Sequence, residues 1–367
     1  MIRRYLPRSL EELIEWHERF TSPLSLIVGF LIDNFIILKR IDLWQGNAIL
    51  LLHLTLAPTA FILLNAIQAG RIKHPRIVAI APALPVVAQF AFGGLFSAFV
   101  ALYSRSAGYI GTWIFIAVLA CFLVGNERFR KLYMRFSVQV AMYFTALFLF
   151  LIFFLPVVFH QIGTIMFVIS GMTSVGGVAL LLYILSRVAP EIEKQERTKS
   201  ARSIALIFFL INTSYFTNVI PPLPLALKDA GVYHALSRTQ NGDYALSGES
   251  IPWYQRILPG SETFHRASGE SAIVFTSIFA PSGLSTPILH EWQTYDEMAK
   301  KWITTNTVSF TINGGRDGGF RGYTQKSGLV AGKWRVNVIT PSGLIVGRVT
   351  FTVVDGTTPQ TLVTTIH

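Results

Sequence analysis

Four polar residues inside apolar stretches are the strongest candidates for chemistry. The run GFLIDNFIILKRIDL, residues 29–43, carries Asp33 and Asn34 where a membrane helix would otherwise continue. If Lys39 marks the outer boundary, Asp33 is about 9 Å deep at 1.5 Å per residue. His53, counted inward from Asn47, reaches about the same depth on the next apolar segment. Asn212, on the last such segment, completes the candidate cluster. Ionisable groups in a bilayer are costly and by default mark ion, proton or substrate pathways. The plainer reading is a hydrogen-bonded carboxyl that fixes helix packing. Gln89 and the Thr173–Ser174 pair in SGMTSVGG are weaker candidates. Glycines 93, 94, 171, 176 and 177 point to close helix contacts, with a broken helix at 171–177 as the alternative.

A second group lies near the C-terminus. HEWQTY places His290, Trp292 and Thr294 on one strand face and Glu291, Gln293 and Tyr295 on the other. Aromatics with a few polar groups suit a ligand surface such as a sugar-binding platform, and they equally suit a sandwich core. GGRDGGFRG shares only its glycines with a phosphate loop and lacks the G-x-x-x-x-G-K-[ST] pattern. It reads as a mobile hairpin on which Arg316 or Arg321 meets an anionic ligand. No catalytic set emerges. The eight histidines show no H-E-x-x-H or other close metal spacing, and no G-x-S-x-G elbow is present. The single cysteine, Cys121, excludes an intrachain disulfide and every multi-cysteine metal motif. These observations lead to the expectation of a non-enzymatic protein without metal or cofactor.

The elements that must hold these residues follow from composition. The chain has 367 residues, 51% hydrophobic and 14% charged, against about a quarter charged in soluble domains. A span needs roughly 20 mainly apolar residues. Seven segments qualify: 22–38, 48–68, 77–102, 108–125, 137–159, 162–186 and 203–220. Alternate connections carry sixteen Lys or Arg residues on one side and three on the other, Lys39, Arg40 and Arg105. By the positive-inside rule the N-terminus is cytoplasmic and everything after residue 220 is outside. This distribution accounts for the net charge of +11 as a topology signal and removes the need for a nucleic-acid partner. Residues 1–20 do not read as a signal peptide; Ser9 and Glu12 fit a capping box at the start of an amphipathic helix on the inner surface.

Beyond residue 220 the texture changes. IPPLPLALKDAG supplies a Pro-rich linker, residues 221–231. In KWRVNVIT, Trp334, Val336 and Val338 alternate with Arg335 and Asn337, the pattern of a half-buried strand. PSG then turns the chain into LIVGRVTFTVV. Further strands are expected at 272–279, 287–295, 307–313 and 320–325, with a helix at 296–302. Residues 221–367 hold twelve basic and ten acidic residues, so the region has no electrostatic footprint for DNA. The expected architecture is an α-helical membrane bundle of seven transmembrane helices over 21–220, followed by an all-β, immunoglobulin-like sandwich over 232–367.

Three stretches, IFAPSGLSTPILHEW, FRGYTQKSG and GKWRVNVITPSGLIVGRVTF, resemble successive parts of a bacterial domain of unknown function, the 2914 family. GFLIDNFIILKRID resembles the opening of its membrane-bound members, and PPLPLALKDAGVYH resembles their link to the exported domain. The resemblance implies an integral membrane protein with an extracytoplasmic β domain and no assigned activity. Bacterial inner-membrane residence with a periplasmic C-terminal domain is therefore expected. The partners expected are the lipid bilayer and a protein, glycan or envelope ligand, within a larger assembly in one version. A transporter or channel built around Asp33 is the second expectation, and a membrane enzyme the third. Oligomeric state stays open.

Overall fold

In the computed structural model, residues 30–31, 41–126, 132–250, 262–267, 269–356 and 361–367 are described. Among them, six helices of 14 residues or more precede an all-β region. They are α1 (Trp44–Gln68), α2 (Leu84–Arg105), α3 (Trp113–Asn126), α4 (Phe136–Phe159), α5 (Thr164–Val188) and α6 (Pro190–Phe216). Four stretches are long and apolar enough to cross a membrane: α1, Pro75–Arg105 ending in α2, α4 and α5. The expected span 108–125 forms the shorter apolar helix Ile110–Asn126. The expected span 203–220 is the apolar end of α6, which begins at Pro190 and carries a charged first half. Glu191 and Glu193 stand in its first turn, where they complement the helix dipole. Glu193 also binds Arg197 through two 2.9 Å hydrogen bonds. The expected N-terminal helix 1–20 and the span 22–38, apart from helical Phe30 and Leu31, lie outside the described residues.

The chain divides into two units, and the helical one comprises Met1–Ser104, Gly111–Phe159 and Thr164–Ile220. Its core is aromatic: Phe92, Phe96, Phe99, Phe144, Phe148 and Phe153 are fully buried. Proline is accommodated inside α1 at Pro58 and inside α4 at Pro156, neither of which ends its helix. Gly171 sits where a Cβ would meet Phe148 at 3.2 Å and Phe208 at 3.3 Å, so it permits contact of α5 with α4 and α6. The alternative of a broken helix at 171–177 is overturned, because α5 runs without interruption from Thr164 to Val188. Ser170 and Ser174 satisfy themselves on carbonyls of their own helix, at 2.7 Å each, and leave the backbone ladder intact.

The second unit contains Arg105–Ile110, His160–Gly163 and Pro221–His367. Its first strand, β1 (Ala226–Tyr233), lies mostly within the stretch expected as linker. The others are β2 (Ala235–Arg238), β3 (Tyr244–Glu249), β4 (Glu262–Arg266), β5 (Ala272–Phe279), β6 (Ser285–Asp296), β7 (Lys301–Asn313), β8 (Phe320–Lys326), β9 (Gly332–Ile339), β10 (Ile345–Asp355) and β11 (Leu362–Ile366). They form a five-stranded sheet, β4-β10-β9-β6-β7, and two three-stranded sheets, β1-β5-β8 and β11-β3-β2. An immunoglobulin sandwich has two antiparallel sheets. Here there are three, and β10 pairs with β4 in parallel.

Trp292, Trp334, Val336, Val349 and Phe351 of the large sheet bury against Val232, Ala272 and Val274 of the β1-β5-β8 sheet. On the other side of β5, Phe275 meets Tyr244 of β3 at 5.9 Å and His367 beyond β11 at 5.6 Å. A strand covered on both faces needs a continuous apolar run, and β5, AIVFTSIF, is buried throughout. The helix expected at 296–302 is instead the turn between β6 and β7. The Asp296 carboxylate accepts the N–H groups of Met298 and Ala299 at 2.9 Å, and Lys300 takes φ +49°. A side chain that bonds its own following backbone favours a turn over a helix. Opposite Trp292 and Gln293, β7 carries one extra residue: Asn306 faces Trp292 and Thr304 faces Gln293, which leaves Thr305 as a bulge.

Candidate functional site

Asp33 and Asn34 lie outside the described residues. His53 turns its Nδ1 to the Ile49 carbonyl at 2.7 Å, and its ring packs on Phe90 with centroids 5.5 Å apart. It also occupies the space that a Cβ on Gly94 would need, at 2.7 Å from Nε2. Asn212 donates to the Phe208 carbonyl, again on its own helix, at 2.8 Å. Neither side chain reaches for the other.

A different polar network crosses the helical unit, one the sequence reading missed. Asn65 of α1 donates to Gln139 Oε1 of α4 at 2.7 Å, and Gln139 donates to the Tyr133 carbonyl at 2.7 Å. The Tyr133 hydroxyl donates to Asn126 Oδ1 of α3 at 2.5 Å, and Asn126 donates to the Gln89 carbonyl of α2 at 2.9 Å. All four side chains are buried and neutral. Their amides join four helices and leave no charge to carry.

In the β unit, His290 and Trp292 face the core. His290 lies between Thr276 Oγ1 at 3.0 Å and Thr324 Oγ1 at 2.9 Å, and Trp292 Nε1 donates to the same Thr324 hydroxyl at 3.1 Å. Burial holds the His290 imidazole down at about 4, so it is neutral at physiological pH. Tyr295 sits on the opposite face of β6 against Trp302, at 5.2 Å. Arg321 is paired with Asp243 at 2.7 Å, while Arg316 is exposed in the turn after β7. The fold does not gather these five residues into one surface.

What it does gather is the outer face of the five-stranded sheet. Strand pairing sets two rows across it: Thr304, Gln293, Arg335 and Thr350, then Thr307, Glu291, Asn337 and Arg348. Arg335 Nε donates to Gln293 Oε1 at 2.6 Å, and Arg348 Nε donates to Asn337 Oδ1 at 2.7 Å. Asn337 donates to Glu291 Oε2 at 2.9 Å, and Thr304 donates to Glu291 Oε1 at 2.9 Å. Each guanidinium is thus fixed through Nε alone, and its two Nη groups form no hydrogen bond with described residues. The Arg335 guanidinium reaches across β6 to lie 4.3 Å from the Trp302 ring centroid on β7. Arg348 lies 5.6 Å from the ring of Tyr109, on a connection that belongs to this unit. Burial, reinforced by Arg348 and opposed by Glu291, holds Arg335 down to about 10. Two half-buried cations thus face one carboxylate, an arrangement suited to an oxyanion.

Residues 285–353 match a family described as protein of unknown function (DUF2914). The DUF2914 match runs from β6 into β10, and both polar rows fall inside it. No curated protein matches the chain. Among solved structures, Pseudomonas fluorescens alkylpurine DNA glycosylase AlkC, bound to DNA containing an abasic site analog, aligns at 11% identity, covering 77% of this chain and 83% of that one. Its TM-score of 0.21 gives that likeness no weight for fold or function.

A third constellation closes on itself. His234, which follows β1, turns Nδ1 to Glu270 Oε1 at 2.7 Å and Nε2 to Glu249 Oε1 at 3.1 Å. His265 of β4 turns its Nδ1 to Glu249 Oε2 at 2.8 Å and donates its backbone N–H to Glu249 Oε1 at 2.6 Å. Burial pushes the Glu249 carboxyl up, but the His265 N–H and the two imidazoles outweigh it and bring it below its ordinary value. These groups satisfy one another, so the cluster ties β3 to β4.

Proposed function

We propose that the chain is a non-enzymatic integral protein of a bacterial inner membrane whose β unit is a binding module outside the cytoplasm. In this reading seven segments span the bilayer, the N-terminus is inside, and the β unit is an elaborated immunoglobulin-like sandwich. The sixteen-to-three division of basic residues supports the orientation. One observation carries the function: the outer face of the five-stranded sheet holds two guanidiniums fixed by Nε with both Nη groups available. Surface arginines that served only solubility would have no need of this Gln293–Asn337–Glu291 scaffold. The ligand is a protein, glycan or other envelope component bearing acidic groups, met either alone or within a larger membrane assembly.

Site-specific photocrosslinking tests the reading. Benzoylphenylalanine at Thr304, on the outer face, should capture a discrete adduct in native membranes, whereas the same probe at Thr365 of β11 should not. The adduct should vanish in the R335Q/R348Q double variant. Equal capture from both positions, or none from Thr304, overturns the proposal. Orientation is checked on a Cys121→Ser background carrying Ser342→Cys. Labelling of intact cells by a membrane-impermeant maleimide supports an outside β unit, and labelling only after lysis refutes it.

A further inference from the structure

Strand β7 is an edge. It pairs with β6 alone among the described residues, ends the order of the five-stranded sheet, and is 13 residues long. Its sequence, KWITTNTVSFTIN, has no charged residue after Lys301 and no proline. Over 301–307 every residue except Trp302 is exposed. Natural proteins blunt edges with lysine, proline, bulges or a covering element, because an unpaired row of N–H and C=O groups templates another strand. Apart from Lys301 at its start and the bulge at Thr305, β7 leaves this stretch uncovered.

Besides Lys301 on β7 itself, two charges from inside the sheet reach this edge: Glu291, whose two oxygens are taken by Thr304 and Asn337, and Arg335. A strand added beside β7 would lie about 4.8 Å away, with alternate side chains on the outer face. The Arg335 guanidinium hangs over β7 at Trp302, one strand spacing from those side chains. Its Nη groups are the ones left without partners among the described residues. We propose that the β7 edge accepts an extended acidic segment of another protein as an added strand, with a carboxylate of that segment docked bidentate on Arg335. This rests on the outer face being the ligand surface, and it names the ligand class. A second copy is disfavoured by charge, since its β7, KWITTNTVSFTIN, carries no carboxylate to meet Arg335. The recognition is strand addition for affinity with a charged side chain for selectivity.

The probe is a fluorescein-labelled octapeptide of alternating valine and glutamate, with binding to the full chain in neutral detergent micelles read by anisotropy. The wild type should bind it at least tenfold more tightly than the valine–lysine counterpart. N-methylation of alternate peptide nitrogens should weaken binding by a similar factor, because it removes main-chain donors and leaves the protein unchanged. Arg335→Gln should also lose at least tenfold and Arg335→Lys less, with unaltered trypsin resistance of each variant as the control for folding. Equal binding of the lysine peptide, indifference to N-methylation, or an unaffected R335Q variant overturns the proposal. A concentration-dependent dimer that excludes the peptide overturns it in favour of a second copy. A glycan adduct at Thr304 in the crosslinking experiment would retain the outer-face reading and remove this one.

Discussion

Strand β6 shows two opposite uses of polar residues within one tetrapeptide. His290 and Trp292 point inward, and Glu291 and Gln293 point outward. On the inner face each polar atom has a fixed neutral partner: His290 has two threonine hydroxyls, and the Trp292 N–H has one of them. On the outer face the hydrogen bonds fix arginines through Nε while leaving both Nη groups of each guanidinium unused by described residues. A buried polar group left unpaired costs about 1–3 kcal/mol, whereas exposed charges are solvated at little cost. Saturation therefore marks the inner face as structural, and incomplete saturation marks the outer face as available.

If that contrast is right, truncation should separate the faces by energy. Trp292→Ala, which empties the centre of the core, should destabilise the β unit by about 3–5 kcal/mol. Hydrogen exchange of the β9 amides should then rise toward that of an unfolded chain.

A second break comes from pH. The folded His290 titrates at about 4, below the ordinary 6.5, so the unfolded chain takes up this proton first. Stability from this group is complete above pH 6.5 and declines as pH falls toward 4, by roughly 3 kcal/mol in all. His290→Gln should remove this slope while keeping hydrogen bonds to the threonines, as measured by β9 exchange corrected for intrinsic rate.

Glu249 tests the intermediate case of a partly exposed but saturated group. Glu249→Gln leaves two imidazoles without their shared carboxylate and should cost about 1–3 kcal/mol, seen as faster exchange in β3 and β4. Smallest of all, Arg335→Gln should change stability by under about 1 kcal/mol while its effect falls on binding. A loss of 3 kcal/mol there would erase the distinction between the faces.

Local pattern carried much of the fold. KWRVNVIT and LIVGRVTFTVV were legible as a hairpin because alternation and the PSG turn are contiguous, and they form β9 and β10. Of the seven spans expected from apolar runs, four are membrane-length helical stretches among the described residues. The parallel pairing of β4 with β10 had no such signal, since it joins residues far apart in the chain. The same limit hid the site. Arg335 was visible as an outward position in KWRVNVIT, but its convergence with Arg348 and Glu291 depends on the β6–β9 and β9–β10 registers. The Asn65–Gln139–Tyr133–Asn126 relay escaped because its link from Asn65 to Gln139 joins residues 74 positions apart, which no local pattern pairs. His234 and His265 are 31 positions apart, and no spacing rule joins them.

The bulge at Thr305 reverses the parity of its strand. After it, even-numbered Phe310 and Ile312 pack inward, as two-residue alternation demands. Before it, even-numbered Trp302 and Thr304 stand on the outer face instead. Read without the extra residue, Trp302 would belong to the same apolar stripe as Phe310 and would sit beneath the sheet. One threonine thus reassigns a tryptophan from core filler to the platform under Arg335. The length of this strand, counted modulo two, encodes as much about its outer surface as the identity of the side chains does.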